Sequence, residues 1–265
     1  MPLNDFHIQI ATAFPHQEKV SSGRGLTLSG EIGVGQDRKR AFIKILSFEN
    51  IAKEALCAVL ARKLQLTVQQ PYYVSMSNTK YHQQGNLDSV AFGLQNDMTP
   101  SFRLNSIQGI ENAFYKWPDL LRCAVFDEWI ANRDRIPNNM VYEKSGVFWL
   151  YDHDDAFPGY VSPSTPINPQ LLALAARDKS EFELFKVRED AMQIVNEYEA
   201  LDWHEIYTCL RTEDVPQTKQ YFAKYIDFLK ARIPEMRSIL SQDLGIKQTE
   251  ISFSMMGMQT KESKS

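Results

Sequence analysis

The sequence predicts an α+β fold of two lobes, a small strand-rich N-terminal lobe with one helix followed by a mostly helical C-terminal lobe. Three observations lead there. Residues 6–45 alternate short β-type stretches with glycine-bearing turns. A single helix-spaced apolar segment follows at Asn50–Leu64. Beyond Pro100 helical apolar spacing dominates.

Taken in order, strands are expected at His7–Phe14, Leu26–Glu31, Gly33–Arg38 and Ala41–Leu46, with a glycine-bearing loop at 21–25. Gly30, Gly33 and Gly35 read as strand and hairpin positions rather than as a phosphate loop, because Glu31 and Gln36-Asp37-Arg38 look like a hairpin connection. In Asn50–Leu64, Ile51, Ala55, Ala58 and Val59 stand at helical spacing among good helix formers. Gln70-Pro71 ends this element, and Tyr72–Met76 and Ser89–Leu94 read as strands around a polar loop. Helices are expected at Leu120–Ala131, Gln170–Ala176, Glu181–Ala200 and Gln217–Ser241. Between the first two sits a hairpin, Met140–Glu143 and Val147–Tyr151, joined by Lys144-Ser145-Gly146. Trp117, Phe126, Trp129 and Phe148 read as core. The expected division is 1–95 for the first lobe, 96–246 for the second and 247–265 for a flexible tail rich in Ser, Lys, Gln and Met.

A chain of 265 residues is long enough for one catalytic unit closed over a cleft. With 43% hydrophobic and 23% charged residues it has the makings of an ordinary globular core. A net charge of −4 supplies no basic field for a phosphate backbone, which argues against nucleic acid as a partner. Cys57, Cys123 and Cys209 form no CxxC pair, and His7, His16, His82 and His204 no HExxH spacing. Reduced thiols and a cytoplasmic location fit that pattern better than a zinc site or a disulfide framework. Asp5 and His7 interrupt any secretory apolar region, and the longest apolar run, Ala55–Ala61, is far shorter than the ~20 residues a membrane span needs, so no transmembrane segment is expected.

The chemistry is concentrated in Phe126–Pro158, which runs helix, polar loop, hairpin, acidic loop. Asp134 is followed five residues later by Asn139, and Asp152 stands just past the hairpin. Phosphoryl transfer asks little covalent help of a protein and much positioning of magnesium against triphosphate charge. Asp and Asn supply the hard oxygen ligands magnesium prefers, and an Asp beside a hydroxyl orients it and takes its proton. In this pattern Asp134 is the catalytic candidate and Asn139 and Asp152 the metal candidates. Upstream, Lys44 lies in the apolar strand Ala41–Leu46 and Glu54 ten residues on, the types that hold nucleotide phosphates and orient the lysine. Ser21, Ser22 and Gly23 are the candidates for bringing backbone N–H groups to the phosphates. His153 fits either a metal-tuning role or that of a hydrogen-bonded loop residue, and Asp154 and Asp155 read either as further metal ligands or, by preference, as solvated charge.

Asn132-Arg133-Asp134-Arg135 through Asn139, together with Asp152-His153-Asp154-Asp155-Ala156-Phe157-Pro158, resembles the catalytic and metal-binding loops of HipA-like kinases and of the related type II phosphatidylinositol 4-kinases. The stretch from Glu54 to Pro71 is similar to the corresponding helix of HipA-like proteins. The resemblance implies an atypical protein-kinase-like fold, ATP and Mg2+ as cofactors, and a protein Ser/Thr acceptor. It further implies toxin-type activity with a possible antitoxin partner, and self-phosphorylation at Ser21 or Ser22 as a control on nucleotide access. No GxGxxG motif precedes Lys44, a departure from ordinary kinases. Two alternatives stand beside this one: a phosphoinositide kinase, which needs a basic or apolar membrane-facing surface, and an ATP-binding pseudokinase or interaction module.

Overall fold

The computed structural model describes residues 6–20, 25–82, 89–96, 102–103, 115–135, 140–142 and 147–244. Ser21, Ser22, Gly23, Asn139, the turn 144–146 and the expected tail from 247 lie outside them.

The chain is a mixed α+β protein. Five strands, β1 (Gln9–Lys19), β2 (Leu26–Val34), β3 (Asp37–Ile45), β4 (Pro71–Ser75) and β5 (Val90–Gln95), form a closed barrel in the order β1-β2-β3-β5-β4. Closure comes from β1, which pairs antiparallel with β2 on one side and parallel with β4 on the other. The expected strands Leu26–Glu31 and Gly33–Arg38 are corrected: Gly33 continues β2, and the chain reverses at Gly35-Gln36 between the paired residues Val34 and Asp37. Gly35 has φ +59 at the first central position of this two-residue turn, a conformation glycine adopts at little cost.

Alternation along the strands builds two cores. Leu28, Ile32, Ile43 and Val74 fill the barrel with the small residues Ala11, Ala13, Ala41 and Ala91, which suit the narrow interior of five strands. Gly93 is required by the same crowding, since a Cβ there would lie 2.7 Å from Val74 Cγ2. Tyr73, Phe92 and Leu94 point the other way, into the larger core.

That larger core is organised around α1 (Phe48–Lys63), capped by the Ser47 hydroxyl accepting from the Asn50 N–H at 3.3 Å. Ile51, Ala52 and Glu54 through Ala61 are all buried, because the helix has the barrel on one side and helices on the other. The rest of that core comes from α2 (Leu120–Trp129), α3 (Gln170–Ala176), α4 (Glu181–Glu199), α5 (Trp203–Cys209), α6 (Lys219–Arg232) and α7 (Met236–Asp243). The single helix expected over Gln217–Ser241 is corrected to α6 and α7 joined by a 3-10 turn at Ile233–Glu235, since Pro234 cannot continue an α-helical hydrogen-bond ladder. Trp117, Phe126, Trp129 and Phe148 are buried, and Trp129 stacks on Tyr198 at 4.3 Å.

The hairpin β7 (Met140–Tyr142) and β8 (Phe148–Leu150) is present, and a short strand β6 (Phe102–Arg103) pairs with β7 as an unanticipated third member. Hydrogen bonds that tie the β and helical parts together include Ile8 N–H to Cys209 O at 3.0 Å, the Tyr73 hydroxyl to Leu210 O at 3.0 Å, and Leu150 N–H to Thr67 O at 2.9 Å. The three cysteines are buried and unpaired with one another. Among the described residues no helix is long and apolar enough to cross a membrane.

Candidate active site

Asp152 follows β8 directly, with φ +63. A non-glycine residue in this left-handed region is strained, and such positions persist where surrounding contacts over-determine them. Here Arg135 donates to the Tyr151 carbonyl just before it, and the Ala156 N–H bonds the His153 carbonyl just after it at 3.0 Å. Consecutive side chains then diverge. Asp152 remains 42% exposed, whereas His153 is buried.

Lys44 on β3 is where these elements converge. Its ammonium donates to Glu54 Oε1 on α1 and, at 2.8 Å, to Asp152 Oδ1; Asp154 Oδ1 lies at 3.9 Å. Burial works against the ammonium, but the carboxylates of Glu54, Asp154 and Asp152 outweigh it and hold the Lys44 pKa above its ordinary value. For Asp152 burial raises the pKa and Lys44 more than offsets it, so the group stays ionised. Asp154 is pushed up to about 7 by burial and by the neighbouring Glu54 charge. Of its two readings the structure favours the metal-ligand one over solvated charge: Asp154 belongs to the acidic cluster, and the Lys53 ammonium caps its carbonyl at 3.1 Å.

The loop bearing Asp134 starts at the end of α2. There the Ala131 N–H bonds Glu128 O at 3.1 Å, the Asn132 N–H bonds Asp127 O at 2.8 Å, and Ala131 has φ +55, a left-handed helix stop. The Asn132 side chain donates to Asp127 Oδ1 at 3.2 Å and accepts from the Asp134 N–H at 3.3 Å. Below it Arg135, fully buried, bonds both Asp127 oxygens at 3.2–3.3 Å as well as the Tyr151 carbonyl. One buried ion pair therefore joins the Asp134 loop to the Asp152 loop. Asp134 itself is exposed and lines a cavity of about 290 Å³ with Lys53, Ala131, Arg133, Asp155, Pro158 and Tyr160.

The structure thus brings Lys44, Glu54 and Asp152 together and sets Asp134 at a cavity beside the acidic loop. Asn139 and the stretch Ser21, Ser22, Gly23 lie outside the described residues. Sequence reasoning missed Asp127, named Asn132 and Arg135 within the Asn-Arg-Asp-Arg motif without giving them the role of orienting the two loops, and left His153 undecided.

An oxygen donor set is available for a magnesium ion: carboxylate oxygens of Glu54, Asp152 and Asp154 lie within 4.8 Å of one another. Asp152 fits best, being ionised and partly exposed, whereas both Glu54 oxygens already have partners in Lys44 and His153.

No protein-family model and no curated protein matches the sequence. Among solved structures the chain is similar to the crystal structure of the Helicobacter pylori proinflammatory kinase CtkA, with a TM-score of 0.52 over 89% of this chain and 98% of that one, at 9% identity. The fold is kinase-like. At that identity the likeness speaks for the architecture, and the chemistry has to be argued from the residues.

Proposed function

We propose that the chain is an ATP-dependent kinase that transfers the γ-phosphate of ATP to a hydroxyl, with protein Ser/Thr as the favoured acceptor. The single observation that carries this reading is the convergence of Lys44, Glu54 and Asp152 from β3, α1 and the loop after β8 within a kinase-like fold. In this reading residues 1–95 and 96–246 act as two lobes closing over the nucleotide.

Lys44, held by Glu54, places its positive charge against the α- and β-phosphates. Asp152, with Asn139, would hold magnesium, which when bound neutralises phosphate charge. Asp134 orients the acceptor hydroxyl and accepts its proton as the new O–P bond forms and the bond to ADP breaks. The protein acceptor comes from the resemblance of the two loops to HipA-like kinases, and the cavity of about 290 Å³ beside Asp134 is where a side-chain hydroxyl would enter.

The test compares wild type with Asp134→Ala for ATP·Mg2+ binding and for transfer of labelled γ-phosphate to protein. Saturation at 100 times the dissociation constant should stabilise both proteins by about 2.7 kcal/mol. Transfer should fall by about 10²–10⁴-fold in the variant. Equal transfer by both proteins removes Asp134 from the chemistry, and the absence of any shift with ATP·Mg2+ sinks the kinase reading altogether.

A further inference from the structure

We infer that His153 is a positioning residue, whose ring holds the buried Glu54 carboxylate in the orientation that Lys44 requires. Its consequence for catalysis rests on the kinase reading above; the contact itself does not. Glu54 has no exposed side-chain surface, and a carboxylate withdrawn from water is tolerated only when its oxygens are satisfied. Lys44 takes Oε1, and His153 Nδ1 lies 3.3 Å from Oε2. The lysine and glutamate are thus gripped by consecutive residues, Asp152 on the ammonium and His153 on the carboxylate. The left-handed backbone at Asp152 accompanies this divergence, sending one side chain to the cleft and the next into the core.

The tautomer follows from the contact. A neutral imidazole has one N–H, and a lone pair on Nδ1 would face the carboxylate lone pairs, so the proton belongs on Nδ1. Among the described residues Nε2 has no hydrogen-bond partner, which a bare acceptor tolerates better than an N–H would. Packing alone does not call for histidine, since the ring lies edge-to-face on Phe126 at 6.4 Å, a contact that phenylalanine would also make.

Two variants separate donor from volume. His153→Phe keeps an aromatic ring and loses the donor, whereas His153→Asn keeps a donor near the Nδ1 position and loses volume. The expected result is a loss of about 10–100-fold in ATP·Mg2+ affinity and kcat/KM for His153→Phe, with His153→Asn within about threefold of wild type, as for residues that orient a ligand through another side chain. The reverse order, or equal impairment of both, overturns the inference. Nitrogen NMR of the wild-type ring without nucleotide is the independent readout: a proton on Nδ1 supports the inference, and a ring protonated on Nε2 alone overturns it. If wild type neither binds ATP·Mg2+ nor transfers phosphate, the kinase reading fails, and the tautomer still decides the role of His153.

Discussion

Asp127 and Glu128 are neighbours at the end of α2, both have fully buried side chains, and each is paired with a buried arginine, yet they hold different parts of the molecule. Asp127 works locally. It takes Arg135, eight residues on, and Asn132, and through Arg135 it fixes the Tyr151 carbonyl beside Asp152. Glu128 works at long range. It pairs with Arg232 on α6 at 2.5 Å and accepts from the Ile167 and Asn168 N–H groups, both at 3.1 Å. Arg232 in turn binds the carbonyls of Ser162, Pro163 and Thr165 at 2.8–3.1 Å. The first clamp sets the separation of the loops bearing Asp134 and Asp152, and the second pins the segment that follows them.

Their charge balance differs as well. Burial raises the Asp127 pKa, and Arg135 opposes that with both Coulombic attraction and hydrogen bonds. Glu128 has burial and a second acid, Asp243 on α7, against it, and it is pushed up to about 7. Buried ion pairs are poor sources of net stability, because desolvation cancels most of the attraction. What they supply here is position, and the Glu128 clamp should respond to pH near neutrality.

The largest effect should follow from Arg135→Ala, which strands the Asp127 charge in the core. A loss of roughly 3–5 kcal/mol is expected by denaturant unfolding, with phosphate transfer abolished even where the variant stays folded. Transfer at the wild-type rate would show that the two loops hold their separation without this clamp. Arg232→Met should cost less, about 2–3 kcal/mol, because Glu128 can take up a proton and avoid standing as a buried anion. ATP·Mg2+ affinity should be unchanged in Arg232→Met, and a tenfold loss would erase the functional distinction between the clamps.

The difference between the clamps also explains what the sequence could reveal. Asp134 and Asp152 were legible as candidates because cleft chemistry constrains residue type and spacing along a short stretch, and Lys44 and Glu54 because strand and helix place them ten residues apart. The general α+β order was legible from period-two and helical spacing. Barrel closure was not, because the parallel pairing of β1 with β4 joins segments about 60 residues apart and leaves no local mark. Arg232 and Glu128 are separated by 104 residues, and an arginine on a helix reads as solvated charge until its partner is seen. His153 lay between these cases: its position in the acidic loop was visible, but not that the loop turns it inward onto Glu54.

The smallest effect, and the one that isolates the second clamp, is expected from Asp243→Asn. Glu128 has a folded pKa of about 7 against an ordinary value of 4.5, so between those values the folded state binds more protons than the unfolded one. Stability from this group is therefore greatest below pH 4.5, falls as pH rises to 7 and is level above that. Removing the Asp243 charge takes away one of the two causes that raise the Glu128 pKa and lets it fall towards its ordinary value while Arg232 remains; it also removes the raised carboxyl of Asp243 itself, whose loss adds to the change in slope in the same direction. A fall of one pH unit in that pKa corresponds to about 1.4 kcal/mol at pH 8, so a gain of about 1 kcal/mol over wild type is expected there, shrinking to nothing at pH 4.5. Unfolding of both proteins at pH 5, 6, 7 and 8 measures this as a difference in slope, which cancels the titration of every group the substitution leaves alone. Parallel curves would mean that burial alone raises Glu128, and the pH sensitivity of the clamp would then belong to its depth in the core rather than to α7.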